Sequence, residues 1–191
     1  QQLQLEAQYK WFEGGPQAGS QRCLVERVEE PGESEPGLVV LLFLGKQLEH
    51  RLEADAADLK ATVIGSDPTI DLALIKIESS KVFQFVNFAK NEARVGDWVM
   101  AVGNPFGLGG TVTTGIVSAR GRDIGNGPYD DFLQIDASIN KGNSGGPAFN
   151  MNGEVVGVNT AIFSPSGGSV GIGFAIPAAT TQDVIASLRE N

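Results

Sequence analysis

The chain has 191 residues, 25 of them glycine, and a formal net charge of −9. This acidic balance, without any Lys/Arg cluster, argues against a nucleic-acid-binding protein, which needs a basic surface for the phosphates. The longest apolar run, Leu38–Leu44, is far shorter than the ~20 residues that cross a bilayer, so no membrane span is predicted. One Cys and one His are too few for a metal site, and no cofactor is expected.

Glycine is about twice as frequent as its usual ~7% share, and many short Val/Ile-rich runs accompany it. That combination predicts an all-β protein with numerous tight turns. Residues 1–58 fit this pattern least. A Gln-rich arm and a loop-like stretch rich in Gly, Pro and Glu precede a buried strand at Leu38–Leu44, and the charged segment Glu49–Leu59 has no clear strand period.

From Leu59 onward the strand pattern is clear. Lys60–Gly65 is predicted as a strand, and the turn Ser66–Thr69 follows it. Leu72–Ile77 is apolar on both faces, which is typical of a strand inside a barrel. Residues 81–94 then connect the two halves of the chain.

The second half alternates strands with glycine-containing loops, a spacing that predicts a barrel or a sandwich. After the last strand, Thr180 or Thr181 is predicted to cap a helix whose apolar face packs against the last barrel. The predicted strands are Trp98–Val102, Thr111–Ala119, Phe132–Ala137, Glu154–Phe163 and Gly171–Ile176, and the helix face consists of Val184, Ile185 and Leu188.

The turn Gly142–Pro147 contains a serine and lies between two predicted strands. A serine flanked by glycines can present its hydroxyl on a tight turn, and the N–H groups of the turn can converge on one spot, as an oxyanion hole requires. A glycine-rich hairpin connection is the alternative interpretation. Ser144 is therefore a candidate nucleophile.

A serine nucleophile needs a base and an orienting carboxylate. His50 is the only histidine, so it is the candidate base by elimination; a solvated histidine in a charged stretch is the alternative. Asp71 stands out among the acids because it immediately precedes the apolar strand Leu72–Ile77 and can be partly buried there. A turn or cap residue is the alternative for Asp71, although Asp67, in front of a proline, fits that role better.

Four motifs occur in this order: Asp67–Lys76, Val95–Gly107, Gly142–Pro147 and Gly171–Pro177. Together they resemble the HtrA/Deg family of trypsin-like serine proteases, over roughly residues 59–190. The resemblance implies two perpendicular six-stranded β-barrels of the trypsin type with a C-terminal helix, and an active site in the cleft between the barrels. Residues 1–93 would form the N-terminal arm and first barrel, residues 94–191 the second barrel and helix, and no PDZ domain is expected.

The resemblance implies that Asp71 is the triad aspartate and Ser144 the nucleophile. It also implies an oxyanion hole formed by the N–H groups of Gly142 and Ser144, with Asn143 shaping the turn. Many digestive relatives carry an aspartate at this position, which pairs with a newly cleaved N-terminal amine, and Asn143 cannot form that ion pair. Neighbouring loops are therefore expected to order the turn: Asn104–Gly110, Gly121–Asp131 and Ser164–Gly168.

Substrate contacts are implied by the same resemblance. Thr160, Ala161 and Ile162 resemble the strand that pairs with an extended substrate peptide. Ile139 and Ile172 are predicted to form walls of the primary specificity pocket. An aliphatic pocket without a buried acid favours small apolar side chains such as valine or alanine.

Upstream, the chain departs from the family, because the Thr-Asn-x-His-Val motif is missing. His50 lies only 21 residues before Asp71 (71 − 50), whereas the 73 residues from Asp71 to Ser144 (144 − 71) fit the family. Three explanations are open: true divergence with weak catalysis, a shortened hairpin that brings His50 to the site, or a shifted reading frame over about residues 13–58. The abrupt change to familial sequence favours the third. Residues 45–58 lack an apolar strand to carry a base, so we expect His50 outside hydrogen-bond reach of both Asp71 and Ser144.

The leading hypothesis is an ATP-independent serine endopeptidase that degrades unfolded or misfolded proteins in protein quality control and the stress response. It is expected as an exported, mature chain in the periplasm or cell envelope. Family protease domains assemble as trimers through N-terminal arms, so Tyr9, Trp11 and Phe12 are candidates for that contact. The alternative, motivated by the missing histidine motif, is a catalytically impaired, protease-like chaperone or peptide-binding module.

Overall fold

The structure is a computed structural model that describes residues 23–24, 38–42, 51–54, 57–77, 85–108, 110–125 and 131–190. The predictions on His50 and on the aromatic residues of the N-terminal arm lie outside these residues. The described residues form β1 (Cys23–Leu24), β2 (Leu38–Leu42), β3 (Arg51–Ala54), β4 (Ala57–Asp67), β5 (Leu72–Ile77), β6 (Trp98–Gly103), β7 (Thr111–Arg122), β8 (Phe132–Ile135), β9 (Pro147–Phe149), β10 (Val155–Ile162), β11 (Gly173–Pro177) and α1 (Ala178–Glu190).

Strands β6 to β11 form a closed antiparallel barrel in the order β10-β11-β8-β7-β6-β9. The pairing of β6 with β7 runs without a break from Trp98 opposite Ile116 to Gly103 opposite Thr111. Small and branched side chains fill one core of the barrel, including the buried Val99, Val117 and Ile135. The alternation of short apolar strands with glycine-rich turns therefore predicted this half correctly.

The other strands form a five-stranded sheet in the order β1-β2-β5-β4-β3. Two six-stranded barrels were predicted, and in the described residues only the second closes. The physical reason is that β1 and β3 each pair with one neighbour, so the two edges of the sheet do not meet. Strand β5 occupies the predicted range Leu72–Ile77 and lies at the centre of this sheet.

One apolar cluster joins the sheet to the barrel. Leu72 and Leu74 of β5 pack in it with Phe149 and Val158 of the barrel and with Ile185 of α1, all of them buried. Helix α1 contacts β4 and β5 of the sheet as well as β10 and β11 of the barrel. The predicted apolar face is confirmed, but it packs against both units rather than against the last barrel alone.

The predicted N-cap of the helix is wrong. Helix α1 begins at Ala178, directly after the end of β11, so Thr180 and Thr181 lie inside it. Thr181 is fully buried, and its hydroxyl donates to the carbonyl of Pro177 at 3.0 Å. The strand passes into the helix without an intervening loop, which leaves no position for a threonine cap.

A hairpin occupies the segment that showed no clear strand period. Strands β3 and β4 pair from Arg51 opposite Lys60 to Ala54 opposite Ala57. Main-chain pairing does not require alternating side chains, so the sequence pattern could not predict it. No helix in the described part of the chain has the length and apolar character needed to cross a membrane.

Candidate active site

The turn around Ser144 lies in the connection from β8 to β9 and is pressed against the end of β6. Gly142 and Gly145 have φ angles of 102° and 85°, a region that favours glycine. A Cβ atom on Gly142 would lie 2.5 Å from the carbonyl oxygen of Asn104, and one on Gly146 would lie 2.2 Å from that of Val102. The glycines of the motif are therefore needed both for the backbone conformation and for the close approach.

Hydrogen bonds from the loop after β6 fix the carbonyl groups of this turn. The N–H of Asn104 donates to the oxygen of Gly142 at 3.2 Å, and the N–H of Phe106 donates to the oxygen of Lys141 at 2.9 Å. Within the described residues, no hydrogen bond uses the N–H of Gly142 or of Ser144. These two amides are left to bind an acceptor that enters the site.

A second loop supports the turn from the other side. The N–H of Ser169 donates to Oδ1 of Asn140 at 2.8 Å, and the oxygen of Asn140 accepts the N–H of Asn143 at 3.0 Å. The loop Asn104–Gly110 thus adjoins the turn, as expected. The loop Ser164–Gly168 adjoins it through Ser169, the residue that directly follows this loop. Of the third predicted loop, 121–131, the structure describes only the two ends.

The hydroxyl of Ser144 contacts β10. Its Oγ donates to the carbonyl oxygen of Thr160 at 2.8 Å. The next two residues of the turn bond to the main chain of Asn159. The N–H of Gly145 donates to the oxygen of Asn159 at 2.7 Å, and the N–H of Asn159 donates to the oxygen of Gly146 at 2.9 Å. The structure therefore brings the predicted nucleophile together with the predicted substrate-binding strand.

Strand β10 has an open edge beside Ser144. Strand β9 pairs with it only from Val155 to Val158, whereas β11 pairs with its other side up to Ile162. A register shift between Asn159 and Ala161 makes Thr160 the extra residue of a bulge. In the described part of the chain, no strand covers residues 160–162 on the side of the serine.

Asn143 of the turn and Asn159 of β10 are both buried, and the sequence pattern did not single out Asn159. Each has one side-chain atom without a hydrogen-bond partner, Nδ2 of Asn143 and Oδ1 of Asn159. Native proteins contain few such groups, because each costs about 1–3 kcal/mol. A polar residue inside the apolar run Val155–Ile162 was the sequence signal that could have identified Asn159.

Asp71 ends the turn between β4 and β5 with a φ of 62°. The neighbouring Ile70 and Leu72 are buried, and the half-buried position raises the pKa of the Asp71 carboxyl to about 6. In the residues described, no hydrogen bond or ion pair reaches this carboxyl. Asp67 is the residue that stabilises this turn, since its Oδ1 accepts the N–H of Thr69 at 2.9 Å.

The two predicted pocket residues pack in different clusters. Ile139 is 1% exposed and lies in the barrel core, where a Cβ on Gly173 would approach its Cγ1 to 2.8 Å. Ile172 is half-buried and packs against the cluster that joins sheet and barrel. Ile139 therefore lies in the barrel core, directly behind Gly173.

Replacing Asp71 by asparagine should remove a pH-dependent loss of stability. Its pKa is raised from 3.8 to about 6 in the folded chain, so between these values the folded state holds the proton that the unfolded state has released. The contribution of Asp71 to stability therefore falls as the pH rises from about 4 to about 6 and is constant above that. Urea unfolding at pH 4, 5, 6 and 7 should show the Asp71→Asn chain gaining on the wild type over this window. Asp67→Asn is the matched control in the same turn, and an equal gain in both variants would contradict a specific effect of burial.

The sequence matches the family described as "Trypsin-like peptidase domain" over residues 24–158. It is 65% identical over 135 residues to a probable periplasmic serine endoprotease DegP-like from Rhizobium meliloti and 68% identical over 136 residues to one from Brucella suis. Each match covers 70% of this chain. The chain spans only 27% and 26% of the lengths of these two relatives.

Solved structures give the same assignment. The HtrA-type protease AlgW with a tripeptide is 36% identical and superposes with a TM-score of 0.78 over 95% of this chain and 59% of its own. The serine endoprotease from Yersinia pestis is 31% identical, with a TM-score of 0.75 over 95% of this chain and 62% of its own. The chain belongs to the trypsin-like peptidase family and, within it, to the HtrA/DegP-like serine proteases.

Proposed function

We propose that the chain is an ATP-independent serine endopeptidase in which Ser144 attacks the scissile carbonyl. One observation carries the proposal: the Ser144 hydroxyl lies on a glycine turn, beside two backbone amides and an edge of β10 that have no partner among the described residues. An attacked carbonyl develops negative charge on its oxygen, and preorganised N–H donors stabilise that charge. The amides of Gly142 and Ser144 are the proposed donors.

Ordering of the oxyanion turn is proposed to come from packing rather than from an ion pair. Asn143 is buried, and its Oδ1 accepts the N–H of Asn140 at 3.2 Å, which closes the turn on itself. The bonds from Asn104 and Phe106 hold the preceding carbonyls. These contacts take the place of the aspartate and N-terminal amine of digestive relatives.

Asp71 is the proposed orienting carboxylate of the triad. Burial alone raises its pKa to about 6, and an imidazolium beside it would favour the ionised form. The base is proposed to be a histidine. His50, the only histidine of the sequence, is predicted by elimination, and the open explanations for residues 13–58 apply to it.

The substrate is proposed to be an extended peptide that pairs with the open edge of β10. Thr160, Ala161 and Ile162 would supply the main-chain partners, a recognition mode that depends little on the side chains of the substrate. Ile172, with Ile139 behind Gly173, would limit the specificity pocket to small apolar side chains. Such a site suits unfolded or misfolded proteins, because their backbone N–H and carbonyl groups are free to pair with β10.

The five-stranded sheet is proposed to be the counterpart of the first trypsin-type barrel. The active site is proposed to lie at the junction of this sheet with the closed six-stranded barrel. On this proposal, residues 1–93 form the arm and first barrel and residues 94–191 the second barrel and helix. Superposition over 95% of the chain at a TM-score of 0.78 supports it. The apolar cluster shared by β5, the barrel and α1 supports the junction.

A periplasmic role in protein quality control and the stress response is proposed from the relatives. Those from Rhizobium meliloti and Brucella suis are each named "Probable periplasmic serine endoprotease DegP-like". The proposal extends that location, and the degradation of damaged proteins there, to this chain.

Casein digestion by the purified chain tests the proposed activity. The wild type should cut casein, Ser144→Ala should abolish cutting because the nucleophile is gone, and Asp71→Asn should lower turnover by roughly 10⁴-fold because the histidine tautomer would be wrong. His50→Ala, assayed in parallel, tests the proposed base. Cutting by Ser144→Ala at the wild-type rate would refute the nucleophile, and intact casein with a folded wild type would favour the peptide-binding alternative.

A second prediction concerns the packing behind the turn. A Cβ on Gly103 would lie 2.8 Å from Cα of Asn143, so Gly103→Ala must displace the oxyanion turn. A misplacement of about 1 Å costs on the order of 10² in rate, which the casein assay measures. Gly110→Ala is the matched control, because a Cβ on Gly110 meets nothing within 4 Å in the same loop. Equal rates of casein cleavage for the two variants, both shown to be folded by circular dichroism, would contradict the proposal that packing orders the oxyanion turn.

A homotrimer is proposed from the family resemblance, with Tyr9, Trp11 and Phe12 in the contact. Deleting residues 1–12 should then convert trimers into monomers, because the aromatic anchors are removed. Light scattering of the two chains at equal concentration measures the mass. The same mass for both would remove the proposal.

A further inference from the structure

Asn159 is a polar side chain at a position where an apolar one would pack as well. It is 0% exposed on β10, and the residues of this strand from Val155 to Val158 are apolar or glycine and also buried. Its Oδ1 has no hydrogen-bond partner among the described residues. Leucine has nearly the same shape and would avoid the burial of that oxygen. Packing therefore does not account for an asparagine here, and its amide nitrogen needs an explanation.

The amide nitrogen of Asn159 bonds to the chain that leaves the serine turn. Its Nδ2 donates to the carbonyl oxygen of Pro147 at 3.3 Å. The main chain of Asn159 bonds to Gly145 and Gly146, which lie between Ser144 and Pro147. Asn159 thus holds the three residues that follow Ser144. Any residue with a backbone N–H could make the two main-chain bonds, whereas the bond to Pro147 depends on the side chain.

Among the described residues, Pro147 pairs with a strand on one side only. It is the first of the three residues of β9 and lies opposite Val158, whereas β6 pairs with the second and third residues of β9. Proline has no N–H, so its carbonyl is the one main-chain group through which a hydrogen bond can hold it. Two glycines separate Pro147 from Ser144, and glycine restricts the backbone least. A bond that fixes Pro147 therefore limits how far the serine can move.

We propose that Asn159 is a positioning residue, whose side-chain amide holds Pro147 and thereby keeps Ser144 in place for attack. The proposal rests on the proposed protease function and adds a second support for the nucleophile. The loop after β6 holds the residues before Ser144, since it donates to the oxygens of Lys141 and Gly142. Asn159 holds the residues after Ser144. The unpaired Oδ1 is tolerated because the same amide group supplies the donor to Pro147.

Replacing Asn159 by leucine separates positioning from packing. Asn159→Leu keeps the shape of the side chain and removes both the unpaired oxygen and the donor to Pro147, and Asn159→Ala removes them without adding methyl groups. Thr181→Val is the matched control, because Thr181 is also polar and 0% exposed but lies in α1, outside the turn. Each chain is characterised by its Tm, by hydrogen exchange of the buried Gly145 and Gly146 amides in NMR spectra, and by kcat and KM for fluorescently labelled casein.

Asn159→Leu should keep or raise the Tm of the chain. Exchange of the Gly145 and Gly146 amides should nevertheless become roughly threefold to tenfold faster in both Asn159 variants, because one local hydrogen bond is lost. The kcat should fall at least roughly tenfold with little change in KM, since a displacement of about 1 Å costs on the order of 10² in rate. Thr181→Val should leave the exchange of these amides and the kcat as in the wild type.

Unchanged exchange of the two amides, or an unchanged kcat in a chain that cuts casein, would overturn the positioning role. A lower Tm of Asn159→Leu with faster exchange throughout the barrel, or loss of the fold in both Asn159 variants, would also overturn it, because a packing role predicts those results. A folded wild type that leaves casein intact would refute the protease function. In that case the exchange of the two amides would still decide whether Asn159 holds the turn.

Discussion

The approach of the serine turn to the end of β6 leaves no room for a side chain between them. A Cβ on Gly103 would lie 2.6 Å from Nδ2 of Asn143, and one on Gly146 would lie 2.2 Å from the oxygen of Val102. Backbone packed against backbone can give way only by moving the whole loop, so the position of the turn is determined by the position of β6. The carbonyl oxygens of Lys141 and Gly142 accept hydrogen bonds across that contact, whereas the N–H groups of Gly142 and Ser144 have no hydrogen-bond partner in the described residues.

The second constraint is the apolar cluster between the sheet and the barrel. Asp71 stands between Ile70 and Leu72, which are both buried in the cluster that also contains Val158, two residues before Thr160. Helix α1 adds Ile185 to the same cluster. The carboxylate and the serine are carried by different units of the fold, and burial of shared apolar surface holds those units together. This location also explains the raised pKa of Asp71, because the cluster removes water from one side of its carboxyl.

Sequence patterns predicted the parts of the fold that depend on local chemistry. Glycines, prolines and apolar runs marked the barrel strands, and Leu72–Ile77 had the observed bounds. The β3–β4 hairpin escaped prediction because its pairing is made by the main chain. Thr181 misled because it lies within the helix, and its hydroxyl donates to the carbonyl of Pro177 at the end of β11, four residues back, instead of capping the helix. The bonds of Asn159 and the bond from Ser144 to Thr160 join residues 12 to 16 positions apart, a kind of contact that no local pattern contains.

The register of β4 places Asp71 and the described residue next to His50 at opposite ends of the strand. Arg51, the first described residue after His50, pairs with Lys60, whereas Asp67 pairs with Leu72, the residue after Asp71. Seven residues of strand separate Lys60 from Asp67, which corresponds to about 20 Å. A base must lie within about 3 Å of the groups that it serves. Among the described residues, Arg51 therefore pairs with β4 about 20 Å from the end at which Asp71 stands, and the position of His50 itself stays a prediction.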